Sequence, residues 1–221
     1  ETGLVILNMP EGTTNSDAAD INNSGQIVGV YSNQNCEQGF MGFLLDGDEF
    51  TCLGTLPGGT NSWANAINDN GVITGGWGNI VEGPSPLAFV WEQGEMTDLS
   101  QQLSVELNVT LDISNNGYLA GRYREQISSN SQPFLYDGAT FYSLPIPRGS
   151  DQARGFAVNS FGQVAGYARN GLAETRAVWW PTPDTSEILA PTNSALSWAL
   201  DINEIGQIVG QVDFGEAGVF G

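Results

Sequence analysis

Apolar and polar positions alternate through this chain in short runs that return five times to one phrase, small-x-x-Ile-Asn-x-x-Gly-x-Ile-x-Gly. It reads at residues 18–29 (AADINNSGQIVG), 64–75 (ANAINDNGVITG), 110–121 (TLDISNNGYLAG), 155–166 (GFAVNSFGQVAG) and 199–210 (ALDINEIGQIVG). Its last glycine falls at 29, 75, 121, 166 and 210, in steps of 46, 46, 45 and 44. Period-two alternation between turn residues divides each period into four predicted strands. The first ends in Ile-Asn and the second is the stretch that follows, as in residues 25–31. The third is an aromatic and aliphatic run at 40–45, 87–91, 133–136, 176–180 and 218–220. The fourth falls at 50–56, 96–99, 141–146 and 186–189, one copy short of five.

Residues 3–10 (GLVILNMP) precede the first phrase as TCLGTLPG precedes the second. They are the expected missing fourth strand, pairing with strand 218–220 and closing the chain on itself. A period of about 40 to 50 residues made of short strands is the mark of a propeller blade. The pattern predicts an all-β fold, a single five-bladed β-propeller over residues 1–221. Four antiparallel strands form each blade, at 16–56, 62–100, 108–146, 153–190 and 197–220 plus 3–10.

Composition fits one all-β domain, with 29 Gly in 221 residues and no stretch of helical period. No run of 18 apolar residues marks a membrane span. Charge changes the picture more. Twenty-five acidic residues face six basic ones, for a net charge of −19, with no His and no Lys. Such a surface excludes nucleic acid as a default partner, because phosphate binding needs cationic side chains. It favours solubility in cation-rich surroundings.

The phrase Ile-Asn-Asp-x-Gly-x-Ile-x-Gly, with CLGTLPGG at residues 52–59, resembles the HAF repeat, a repeat family of bacteria described as extracellular. The resemblance runs through all five copies. The His-Ala-Phe triplet that names the family is replaced by MGF at Met41, LAF at Leu87, QPF at Gln132, RAV at Arg176 and AGV at Ala217. It implies secretion or a cell-surface location and brings no established activity and no catalytic residues.

Turns between strands one and two are short and uniform (NNSG, NDNG, SNNG, NSFG, NEIG), while loops at 32–39, 78–86 and 124–132 are long and variable. Variable loops on a rigid scaffold are where binding concentrates, so the long-loop end is the expected working face. All six basic residues gather there: Arg122, Arg124, Arg148, Arg154, Arg169 and Arg176. Arginine captures carboxylate and sulfate through two parallel bonds, so the sector reads as an anion site. The alternative is local ion pairing with Glu125, Asp151 and Glu174. Tyr31, Trp77 and Tyr123 share one repeat position, and Trp63 and Trp198 another, offering rings for stacking on sugars or for packing between blades.

Asp20, Asp112 and Asp201 also share a position, and alternation aims them at a central channel. Three carboxylates there would hold Ca²⁺ or serve as turn caps and channel lining. Cys36 and Cys52 both lie in the first blade, as a disulfide in an oxidising compartment or as two thiols. Asn22 and Asn108 stand in N-glycosylation sequons.

The expected function is therefore a non-catalytic extracellular binding module for acidic glycans or other carboxylate or sulfate ligands, with no cofactor unless Ca²⁺. One alternative is a structural subunit that self-associates into polymers. Its Arg sector would meet an acidic underside carrying Asp46, Asp48, Glu49, Asp69, Glu92, Glu95, Asp137, Asp184 and Glu204, or residues 3–10 would complete a neighbour's blade. The other is a carboxylate-based glycoside hydrolase, disfavoured because uniform blades lack the insertions that build catalytic clefts.

Overall fold

Each phrase folds as its alternation dictates. The computed structural model describes residues 6–33, 39–79, 86–103, 105, 107–124, 130–171, 174–189 and 196–215. Strands β1 (Thr13–Ile21), β2 (Ile27–Asn33), β3 (Met41–Asp46) and β4 (Glu49–Gly54) form one antiparallel sheet in chain order. The second sheet holds β5 (Asn61–Ile67), β6 (Ile73–Gly78), β7 (Leu87–Glu92) and β8 (Glu95–Asp98). The third holds β9 (Leu107–Ile113), β10 (Leu119–Arg124), β11 (Ser131–Tyr136) and β12 (Phe141–Ser143). The fourth is built from β13 (Gln152–Val158), β14 (Val164–Arg169), β15 (Thr175–Thr182) and β16 (Thr185–Ile188). Strands β17 (Leu196–Ile202) and β18 (Ile208–Asp213) stand where a separate fifth blade is expected, but a parallel bridge between Thr175 and Leu196 joins them with the fourth into one six-stranded sheet. The sequence reading missed one element, the short helix α1 (Leu99–Leu103), whose start is capped by Asp98 Oδ1 accepting the Gln101 N–H at 3.1 Å.

The sheets pack face to face as propeller blades do. Val28 and Leu53 of the first enter a cluster with Ala64, Ile73 and Phe89 of the second. Ala66 and Leu99 of the second pack with Leu107 and Phe134 of the third, and Ala120 and Leu144 of the third with Val164 and Trp180 of the fourth. Ala165 of the fourth meets Ala199 of the fifth.

Both glycines of the phrase have a physical reason. The first sits in the strand-one to strand-two turn with positive φ, +82° at Gly25 and +78° at Gly71, where a Cβ is disfavoured. The second lies beside a β-bulge repeated in all five copies. In the first, Ala18 faces Gly29 and Asp20 faces Val28, leaving Ala19 over; in the second, Ala64 faces Gly75 and Ala66 faces Thr74. The bulge drives a carbonyl of the inner strand against that glycine, so a Cβ at Gly75 would overlap the Trp63 carbonyl oxygen.

The asparagine ties blade to blade. Asn68 Oδ1 accepts the N–H groups of Asn70 and Val72, both at 3.0 Å, and its Nδ2 donates to the Ser114 carbonyl of the next blade at 3.1 Å. Asn22 donates likewise to the Asn68 carbonyl at 3.0 Å, and Asn159 to that of Asn203 at 3.1 Å. Where the third copy has Ser114, the neighbouring Asn116 makes the crossing, donating to the Ser160 carbonyl at 3.0 Å. Asn22 and Asn108 are both buried, which withdraws the sequons as glycan acceptors in the folded chain.

At the ends the expected ring closure has no counterpart among the described residues. Residues 6–10 form no strand, although Leu7 and Met9 pack against the cluster of Tyr31, Met41, Phe43 and Leu45 as a preceding blade's fourth strand would. Strand 218–220 lies outside the described residues, as do Cys36 and most of the long loops. Cys52 is exposed on β4 and has no disulfide among the described residues.

Candidate anion-binding site

The arginine sector is built across the packing of the third blade on the fourth. Arg122 lies on β10 between Val109 and Pro133, and Arg154 lies on β13 opposite Tyr167. One blade earlier the equivalent residues are Gly76 and Val109, and a Cβ at Gly76 would meet Val109 Cγ2 at 3.3 Å. The same geometry brings Arg122 toward Arg154. Both are half-buried, and among the described residues the Nε of each is buried without a hydrogen-bond partner. Burial first, then the like charges of Arg154 and Arg124, holds the Arg122 guanidinium below its ordinary value.

Rings wall the pair. The Arg154 guanidinium lies over Tyr167, 5.8 Å from the ring centroid, and Phe156 packs on Tyr167 at 5.2 Å. Glu125, expected as a pairing partner, lies outside the described residues. Two neighbouring cations withdrawn from water with no counter-charge among the described residues are unfavourable, and an anion bridging them relieves both desolvation and repulsion.

The other basic residues divide as follows. Arg124 is half-buried nearby, whereas Arg148, Arg169 and Arg176 are exposed at the same end of the sheets. Arg176 takes the local-pairing alternative, bonding Glu174 at 2.6 Å, the one ion pair among the described residues.

Two of the ring residues expected to meet sugars do not. Tyr31 and Tyr123 are 1% and 5% exposed, held edge-on against Phe50 and Phe141 in the blade cores, so they pack and do not stack on ligand. Trp77 is half-buried in the core between the first two blades. Trp63 and Trp198 are half-buried on the inner strands, in the register of Arg154.

The three aspartates act as clasps. Asp20 Oδ1 accepts its neighbour Ile21 N–H at 2.8 Å, and Oδ2 accepts the Ile67 N–H of the next blade at 2.9 Å. Asp112 repeats this with Ile113 at 2.8 Å and Val158 at 2.7 Å. Asp201 makes the first bond, to Ile202 at 2.8 Å. Among the described residues no three acids or cysteines stand close enough to hold a metal ion, and the oxygens named here accept backbone N–H groups.

Burial pushes Asp112 up to about 6 against the pull of its two N–H donors, and Asp20 and Asp201 add repulsion. Because its folded value lies above the unfolded one, stability is lost as pH rises through about 6. The protein is expected to be more stable at pH 5 than at pH 7 by about 1 kcal/mol. Asp69 and Asp137, whose values are lowered by N–H donors, titrate below this window and oppose it only in stronger acid. Thermal melts of the parent and Asp112→Asn check this. The variant is less stable overall and flat between the two pH values, and an unchanged slope contradicts the assignment.

No protein-family model matches the chain, and no curated protein matches it. Solved structures do. A protein of Agrobacterium tumefaciens assigned as TolB superposes with a TM-score of 0.57 at 12% identity, covering 87% of this chain and 72% of that one. TolB of Acinetobacter baumannii gives 0.51 at 13%, over 92% and 45%. The acylaminoacyl peptidase of Pyrococcus horikoshii gives 0.52 at 14%, over 80% of this chain and 27% of its own length. The chain thus spans about a quarter of that peptidase, and these likenesses concern the fold. No helix among the described residues is long and apolar enough to cross a membrane.

Proposed function

We propose that this chain is a non-catalytic recognition module of five propeller repeats that captures carboxylate or sulfate groups of acidic glycans. The observation that carries this reading is the Arg122 and Arg154 pair, half-buried, side by side and without a carboxylate partner among the described residues. Guanidinium pairs bind planar and tetrahedral anions through parallel hydrogen bonds, and Trp198 supplies ring surface on the adjoining inner strand β17, with Trp63 two inner strands away on β5. An extracellular location rests on the repeat's resemblance and on the strongly acidic composition. The rest of the surface repels polyanions, so binding is confined to the arginine sector.

Titration calorimetry with sulfated, carboxylated and neutral oligosaccharides tests it. Binding of the charged sugars only is expected, weakened at least about tenfold by Arg154→Ala, the loss of one charge-assisted pair. Equal affinity in parent and variant, or equal affinity for neutral sugars, overturns the reading.

A further inference from the structure

Among the described residues nothing covers the face of β18 that points away from the fourth blade. The phrase positions occupied by Val28, Thr74, Ala120 and Ala165 are all 0% exposed, because the next blade's inner strand lies on each. Val28 packs with Ala64, the Thr74 hydroxyl bonds that of Thr110, Ala120 approaches Gly155, and Ala165 packs with Ala199. Val209 holds the same position in the fifth copy and is 63% exposed. A separate open groove of ≈ 470 Å³ lies beside β18 toward the fourth blade, lined by Trp179, Leu189, Trp198, Ile208, Val209 and Val212. At the other end, Ser16 and Ala18 of β1 are exposed, while Ser62, Ala64, Ser197 and Ala199 at the same positions are buried.

The aspartate clasps say what fits there. Copies one, three and five carry Asp20, Asp112 and Asp201, and copies two and four carry Ala66 and Ala157. Each aspartate takes its own following N–H with one oxygen. Asp20 and Asp112 each reach with the other to the N–H of the next copy, which is free because an alanine precedes it. Asp201 makes the first bond, and among the described residues no N–H meets its other oxygen. The first blade is a poor donor, because the Ile21 N–H already serves Asp20 and would bring a second carboxylate against Asp201. An odd ring cannot alternate; six copies can.

We infer that the β17–β18 face is the docking surface for a sixth repeat of the same phrase, one with a small apolar residue where Asp201 stands. A second copy of this chain does not meet the requirement, since the unpaired blade it offers is the one with Asp20. The fifth interface continues the four already formed, with an inner strand over Val209 and one N–H for Asp201.

A copy of residues 46–91 joined after Gly221 stands in for that repeat. It supplies a fourth strand for the fifth blade and an alanine-type sixth repeat. In a Cys36→Ser, Cys52→Ser background, thiol labelling of Val209→Cys is expected to be fast in the five-repeat chain and at least about tenfold slower with the added repeat, as burial behind a packed blade requires local opening. The melting temperature rises with it, and the same added copy with its Ala66→Asp loses most of both effects. Labelling that is already slow in the five-repeat monomer would mean closure on its own first blade and overturn the inference. So would protection that grows with chain concentration, labelling unaffected by the added repeat, or an aspartate-bearing copy that protects equally well.

Discussion

Gly75→Ala is expected to lower stability by more than about 3 kcal/mol, beyond the usual range for an added methyl, because the atom it meets is backbone. The bulge at Asn65 sets the Trp63 carbonyl against Gly75, so no rotamer change relieves the overlap and the β5–β6 pairing must open. Gly71→Ala, four residues earlier, is the internal comparison. There the nearest atom to a new Cβ is the end of the Gln26 side chain at 3.7 Å, and only the φ of +78° is strained. That cost is about 1–2 kcal/mol. Urea denaturation of the two variants separates steric from conformational cost. Equal losses would show that the close approach is not what places glycine at the end of every phrase.

Asn68→Ala is expected to cost about 3–4 kcal/mol, since it strands two N–H donors and one carbonyl where water does not replace them. Asn68 is 3% exposed, and its amide both shapes its own turn and grips the next blade. Ser114 is the natural counterpart, with a hydroxyl that accepts only the Tyr118 N–H, at 3.1 Å. Ser114→Asn is therefore expected to stabilise by about 1 kcal/mol through a restored crossing bond. Thermal melts check both. A mild Asn68→Ala would place the cohesion between blades in the apolar clusters alone.

Much of this fold was legible because one phrase carries it. Period-two alternation located the strands, and the spacing of Asn68, Gly71 and Gly75 marks turn, crossing bond and bulge once the backbone is seen. Closure was not legible. The sequence shows that residues 3–10 resemble a fourth strand, but whether the curvature brings Ala18 to Val209 depends on how every blade packs. The same limit applied to the rings. Tyr31 and Tyr123 occupy a repeated position, and repetition marks burial between blades as readily as it marks a ligand platform. The aspartates show a related limit. Alternation put them on the inner strands, and only the bulge turns their oxygens onto backbone N–H groups. The arginines stand out by charge in an acidic chain, yet the grouping of Arg122 with Arg154 came from blade packing, since they lie on different strands.

The measurement that bears most directly on the central claim is anomalous diffraction from crystals soaked in selenate, a heavy analogue of sulfate. The account predicts a selenium peak within hydrogen-bond reach of both Arg122 and Arg154, absent in Arg154→Ala crystals soaked alike. An empty pair beside peaks at the exposed Arg148 or Arg169 would contradict it.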